Sequence, residues 1–246
     1  MLIGETLADS LMADPTAGTL LNGTKPIIIL TGQDPPYDVS QPFAPAAWDA
    51  TYMIRFSSEA DMQAVFTANG IPAFVAWVMY DNEPNALPAT PPDEQPPNDP
   101  ATYYAAGAQL AHSHGKLFAA TAGLSGSPAQ TQDVYNTATA WDFYAVQTQT
   151  GELNLQQFDA NIVNTMANVW AINPAVPFSA GVGDYANGKL VTASQIDPAM
   201  VSIPSNGSVW MNFGPNSGSS AERDDIAISV IENTVSQKRA ASISPP

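Results

Sequence analysis

Ala73-Phe74-Val75-Ala76-Trp77-Val78-Met79-Tyr80-Asp81-Asn82-Glu83 is an apolar run that stops in two acids, just ahead of a Pro-rich loop. A short continuous apolar run of this kind suits a strand covered on both faces. Side chains alternate across a strand, so Asp81 and Glu83 leave its end together on one face. Parallel α/β folds collect their ligands beyond the carboxyl ends of strands, which makes this end the first place to look for chemistry.

Working outward, similar runs stand at 26–31, 51–56, 116–122, 143–147, 176–182 and 209–213, and helical patterns fill the gaps at 58–69, 100–114, 128–140, 153–172, 193–201 and 221–238. Local signals mark the helix ends. Asp99-Pro100 reads as an N-cap followed by a first helical residue, and Gly115 stands where a helix end accepts a left-handed residue. Glu59 and Asp61 lie in a first turn, where the helix dipole favours carboxylates, and Asn69-Gly70 ends that helix.

The alternation predicts an α/β fold: one (β/α)8-type barrel domain over residues 1–246, in preference to an open doubly wound sheet. The longest polar insertion, 84–100, follows a central strand, and no strong phosphate loop opens a helix, both of which favour the barrel. Seven strands are legible, so the eighth is expected either from 200–203 or from the weakly patterned segment 1–25. Residues 84–100 and 242–246 read as unstructured.

Charge narrows the partners. Seven basic residues against 23 acidic ones give a net charge of −16, and Lys25, Arg55, Lys116, Lys189, Arg223, Lys238 and Arg239 are scattered. Nucleic-acid and membrane-surface binding both draw on clustered Lys and Arg, so neither partner is expected, and the ligand reads as neutral or cationic. No window reaches the roughly 18 consecutive apolar residues of a membrane span. Low Lys content with abundant Ala, Pro, Thr, Asn and Gln resembles a secreted bacterial hydrolase domain whose signal has been trimmed.

The absence of Cys removes thiolate chemistry, and His112 and His114, two apart at a helix end, diverge. No metal is expected, and the two histidines read as a helix C-terminal cap. Gly181-Val182-Gly183-Asp184-Tyr185-Ala186 matches a dinucleotide fingerprint in form, but the Asn187-Gly188 that follows is a hairpin turn signal and not a helix start. No cofactor is expected. Gly123-Leu124-Ser125-Gly126 lacks the spacing of a nucleophile elbow.

The acid pair is therefore the leading candidate for catalysis, in a mouth with no Lys or Arg nearby in sequence. Two carboxylates held close repel, which lifts one toward the range where it donates a proton while the other stays ionised. Glycoside hydrolysis needs that division of labour, with Glu83 as general acid and Asp81 orienting it or stabilising charge. Asn82-Glu83-Pro84 resembles the Asn-Glu-Pro that ends a strand in the large retaining clan of barrel glycosidases, where that Glu is the acid/base. Asp81-Asn82-Glu83 is similar to the Asp-x-Glu of barrel chitinases and barrel lysozymes. Asn212 stands where the retaining clan would carry a second Glu, and Ala76 and Met79 stand where the chitinase signature has acids. In length and strand-end acids the chain resembles the compact spherulin-4 and polygalactosaminidase-type barrels, which implies a polysaccharide substrate rich in amino sugars.

Around the acids, Gln147 and Gln149 alternate out of an apolar strand in the same way, and with Tyr80, Asn82, Trp210 and Asn212 they are the expected sugar contacts. Asp34 after the run 26–31 and Asp184 after 176–182 are candidate partner acids. The rival readings are a barrel that binds carbohydrate or cell-wall material without cleaving it, and an acidic interaction protein.

Overall fold

The computed structural model describes residues 1–30, 44–83, 90–95, 98–122, 128–149, 151–186, 189–213 and 220–243, with backbone alone for 122, 186, 189, 220 and 237–243. Its strands are β1 (Leu2–Gly4), β2 (Ile27–Leu30), β3 (Thr51–Phe56), β4 (Val75–Asn82), β5 (Leu117–Ala122), β6 (Phe143–Val146), β7 (Phe178–Gly183), β8 (Tyr185–Ala186), β9 (Lys189–Leu190) and β10 (Gly207–Asn212). All but β8 and β9 form a closed parallel barrel in the order β1-β10-β7-β6-β5-β4-β3-β2. The helices are α1 (Glu5–Met12), α2 (Pro15–Leu21), α3 (Glu59–Thr67), α4 (Pro100–Ser113), α5 (Pro128–Asn136), α6 (Leu155–Ile172), α7 (Ala193–Ser202) and α8 (Ser220–Ile243). The chain is thus an α/β barrel of the (β/α)8 type.

The strand that periodicity misses is β1. It spans only Leu2–Gly4, too short for an alternating pattern to register, yet it closes the ring by pairing Leu2 with Trp210 on one side and with Ile27 on the other. Residues 200–203, the rival candidate, instead end α7. The segment 1–25 also carries α1 and α2, the latter capped by Asp14, whose carboxylate accepts from Thr16 N at 2.7 Å and Ala17 N at 3.0 Å. Other expected signals act as their chemistry requires. Asp99 accepts from Thr102 N at 3.3 Å, Gly115 has φ +68°, and β8 and β9 pair antiparallel, Tyr185 with Leu190, while the Asn187-Gly188 turn signal lies outside the described residues.

Register separates two cores. Leu2, Ile29, Met53, Met79, Ala119, Phe143, Ala145 and Trp210 fill the inside of the barrel. The alternate residues, including Ile54, Val78, Tyr80, Phe118 and Tyr144, pack outward into the larger core beneath the helices. On that outer side Tyr80, Tyr104, Trp141 and Tyr144 form a continuous aromatic series, with successive centroids 4.7, 5.9 and 5.2 Å apart. β4 runs on past Met79: Asp81 pairs with Thr121 and Asn82 with Ala122, so the acids rise from the ladder itself.

Candidate active site

Asp81 lies two residues beyond Met79 on the same inner face, at the carboxyl end of the barrel. It is 1% exposed. Glu83 follows one alternation later, its side chain 25% exposed. Arg55 on the neighbouring β3 is in register with Met79 and rises beside both acids. Its Nη1 lies 2.8 Å from Asp81 Oδ2 and 3.9 Å from Glu83 Oε2. From beyond β6, Gln147 donates through Nε2 to Asp81 Oδ1 at 3.2 Å and also to Glu83 Oε1.

Burial pushes the Asp81 carboxyl up, and the charge of Glu83 pushes it further. The Arg55 guanidinium opposes both by its charge and its hydrogen bond, and the balance leaves Asp81 at about 7. A carboxylic acid that keeps its proton into the neutral range, beside a second and more exposed carboxylate, is an arrangement suited to proton delivery.

The expectation of a mouth without cations is overturned. Arg55 is 26 residues from Asp81 in the chain, but β3 and β4 are adjacent in the ring, so the two side chains meet. A signal for it existed in the sequence. An Arg inside the strand Thr51–Phe56 is a charge on a buried face, and such a charge needs an acid partner.

The flanking residues divide by face. Tyr80 and Asn82 point away from the mouth, which corrects their expected role as sugar contacts. The Tyr80 hydroxyl donates to Glu94 Oε2 at 2.6 Å, while Asn82 Nδ2 donates to the Tyr80 hydroxyl at 3.2 Å and to the Glu94 carbonyl at 2.7 Å. Trp210, 4% exposed, packs among Leu2, Met79 and Phe143 inside the barrel, so its ring is core and offers no open face for stacking. Asn212, two residues further along the same face, is exposed at the end of β10. Gln149 lies against β7, its Oε1 only 2.6 Å from where a Cβ on Gly181 would stand, so a side chain there would require the Gln149 amide to shift. That Oε1 is buried and accepts no hydrogen bond among the described residues. Asp184 is buried just past β7, and Asp34 lies outside the described residues.

Three polar residues are buried without any local signal of burial in the sequence. Glu152 accepts from Gly183 N at 3.1 Å, and Thr90 and Glu94 lie within the stretch 84–100 that reads as unstructured. Its residues Pro92–Glu94 form a 3-10 turn, and Glu94 is 2% exposed. The histidines lie toward the opposite end of the barrel, where His112 pairs with Asp142 at 2.8 Å and the His114 ring stacks on Phe66 at 4.5 Å. Among the described residues no cluster of acids and imidazoles is disposed to hold a metal ion, and no helix is long and apolar enough to cross a membrane.

No protein-family model matches the chain, and no characterised protein matches it in sequence. Among solved structures it is similar to an active-site mutant of the β-1,3-glucanosyltransferase of Rhizomucor miehei in complex with laminaritriose, at 11% identity and a TM-score of 0.47, covering 81% of this chain and 79% of that one. It is similar also to 3-keto-L-gulonate-6-phosphate decarboxylase from Vibrio cholerae O1 biovar El Tor, at 7% identity and a TM-score of 0.44, covering 76% and 72%. At those scores neither likeness bears on chemistry, and the barrel is established by its own closed sheet.

Proposed function

We propose that the chain is a glycoside hydrolase whose acid catalyst is the Asp81–Glu83 pair. The observation that carries this reading is a buried carboxyl, Asp81, one alternation from a second carboxylate, Glu83, both at the carboxyl end of a barrel strand and both met by Arg55 and Gln147. In the proposed reaction Asp81 passes its proton to Glu83, the more exposed acid, which delivers it to the glycosidic oxygen as the bond to the anomeric carbon breaks. Water then adds to the anomeric carbon, and its proton returns to the pair. Asp81 keeps that proton available near neutrality, while Arg55 and Gln147 fix both carboxylates and limit their repulsion. Asp184, past the end of β7 and separated from β4 by β5 and β6 in the ring, is the proposed carboxylate for the opposite face of the sugar. Gln149, half-buried as a residue, and Asn212 are proposed to meet sugar hydroxyls.

Release of reducing ends from a polysaccharide panel tests this. Glu83→Gln and Asp81→Asn are each expected to lower turnover by roughly 10²- to 10⁴-fold, the usual contribution of a positioned acid. Unchanged turnover in both variants would dismiss the assignment. The second reading, a barrel that binds carbohydrate without cleaving it, draws support from the 2.8 Å Arg55–Asp81 ion pair, which occupies one oxygen of the buried acid. Binding on a glycan array with no product released favours that reading.

A further inference from the structure

The sheet releases β4 before it reaches Glu83. The last pairing with β3 is Phe56 with Tyr80, and the last with β5 is Asn82 with Ala122. Glu83 is thus one residue beyond the ladder, yet its carboxylate is placed closely enough to meet Gln147 and Arg55. Something other than the sheet fixes its backbone. Glu83 N donates to Thr90 Oγ1 at 2.8 Å, and Thr90 N donates back to the Glu83 carbonyl at 3.2 Å. The same Thr90 hydroxyl donates to the Asp81 carbonyl at 3.5 Å, and Thr90 is 1% exposed.

We propose that Thr90 is a positioning residue, which holds Glu83 beside Asp81 by gripping the Glu83 backbone where the sheet no longer does. Thr90 is itself anchored from the outer side of the barrel. Gln95 Nε2 donates to the Thr90 carbonyl, and the neighbouring Glu94 is tied to Ser58, Tyr80 and Asn82. A run of bonds therefore passes from the start of α3, through Glu94 and Gln95, to Thr90 and on to the acid pair. The role in turnover rests on the hydrolase reading, whereas the placement of Glu83 does not.

Asp81 reports that placement, because the charge of Glu83 is one of the forces that raise it. The charged groups facing Asp81 are Glu83 from its own strand and Arg55 from β3. Thr121 on β5 and Gln147 beyond β6 are neutral, and Tyr104 and Tyr144, behind the strands, are held neutral by burial. Thr90→Val removes the hydroxyl and keeps the shape. The measurements are carbon-detected NMR titration of the Asp81 carboxyl, thermal melting, and kcat and KM on the glycan that the wild type cleaves.

In the Val variant the Asp81 midpoint is expected to fall from about 7 toward the ordinary carboxylate range as Glu83 moves away. In the same variant kcat is expected to drop about 10- to 100-fold, with KM held within about threefold. Thr90→Ser, which restores the hydroxyl, recovers both. An Asp81 midpoint equal to that of the wild type in a folded Val variant overturns the proposal. Should the Val variant fail to fold, Thr90→Ala carries the same readout. A midpoint that falls in Val and recovers in Ser, with no glycan cleaved by the wild type, upholds the positioning and sinks the hydrolase reading.

Discussion

Asp81 and Glu94 are both buried carboxylates, at 1% and 2% exposure, and they sit on opposite sides of β4. Glu94, on the outer side, accepts from the Ser58 hydroxyl at 3.0 Å, from Glu59 N at 2.9 Å and from the Tyr80 hydroxyl at 2.6 Å. All of those donors are neutral, and together they tie the 3-10 turn Pro92–Glu94 to the first turn of α3. Asp81, on the inner side, meets a guanidinium, an amide and a second carboxylate, and those charges pull its proton affinity in opposite directions. A buried acid saturated by neutral donors is a fastener. One held between opposed charges is poised to trade a proton.

The contrast is broken most forcefully from the fastener side. Glu94→Ala would strand the Tyr80 and Ser58 hydroxyls and the Glu59 amide, and at about 1–3 kcal/mol for each unsatisfied buried group the loss should reach about 3 kcal/mol or more in urea unfolding. A loss below about 1 kcal/mol would show that these bonds do not fasten the turn.

The next effect is a pH slope that belongs to Asp81. Its folded-state midpoint, about 7, lies above the ordinary value of 3.8, so between those values the folded chain binds more protons than the unfolded one. Stability from this residue is therefore greatest at the acid end and falls as pH rises through the window, with a slope of up to about 1.4 kcal/mol per pH unit, and it is level above it. Asp81→Asn should remove that slope. Unfolding curves of the two proteins at several pH values, found parallel, would place the charge competition elsewhere.

The smallest change sharpens the division of faces. Tyr80→Phe deletes one hydroxyl that serves Glu94 and should cost about 1 kcal/mol, with kcat unaltered, because the Ser58 hydroxyl and the Glu59 amide still hold Glu94 and through it Thr90. A kcat loss of tenfold or more would mean that the outer network reaches the chemistry through β4.

Legibility followed the range of the interactions. The pairing of Asp81 with Glu83 follows from strand alternation, and so does the convergence of Gln147, which leaves β6 on the same phase. The same alternation already placed Tyr80 and Asn82 on the other face, so their proposed sugar contacts conflicted with the rule that selected the acids. Trp210 shares the inner face with Asn212 but lies one alternation deeper, and that depth removes it from the mouth. Glu94 and Thr90 sit in a polar, Pro-rich stretch with no periodicity, so nothing local announces that they are buried.

Pattern and composition were enough for the α/β alternation, the helix caps, the twin acids on one face and the lack of any basic cluster, because each depends on neighbours within a turn or two along the chain. The closing strand Leu2–Gly4, the Arg55 counter-charge, the clasp of Thr90 on Glu83 and the lift of Asp81 to about 7 come from groups far apart in sequence. Closing the ring of strands sets those groups side by side away from water, where charges and hydrogen bonds weigh most.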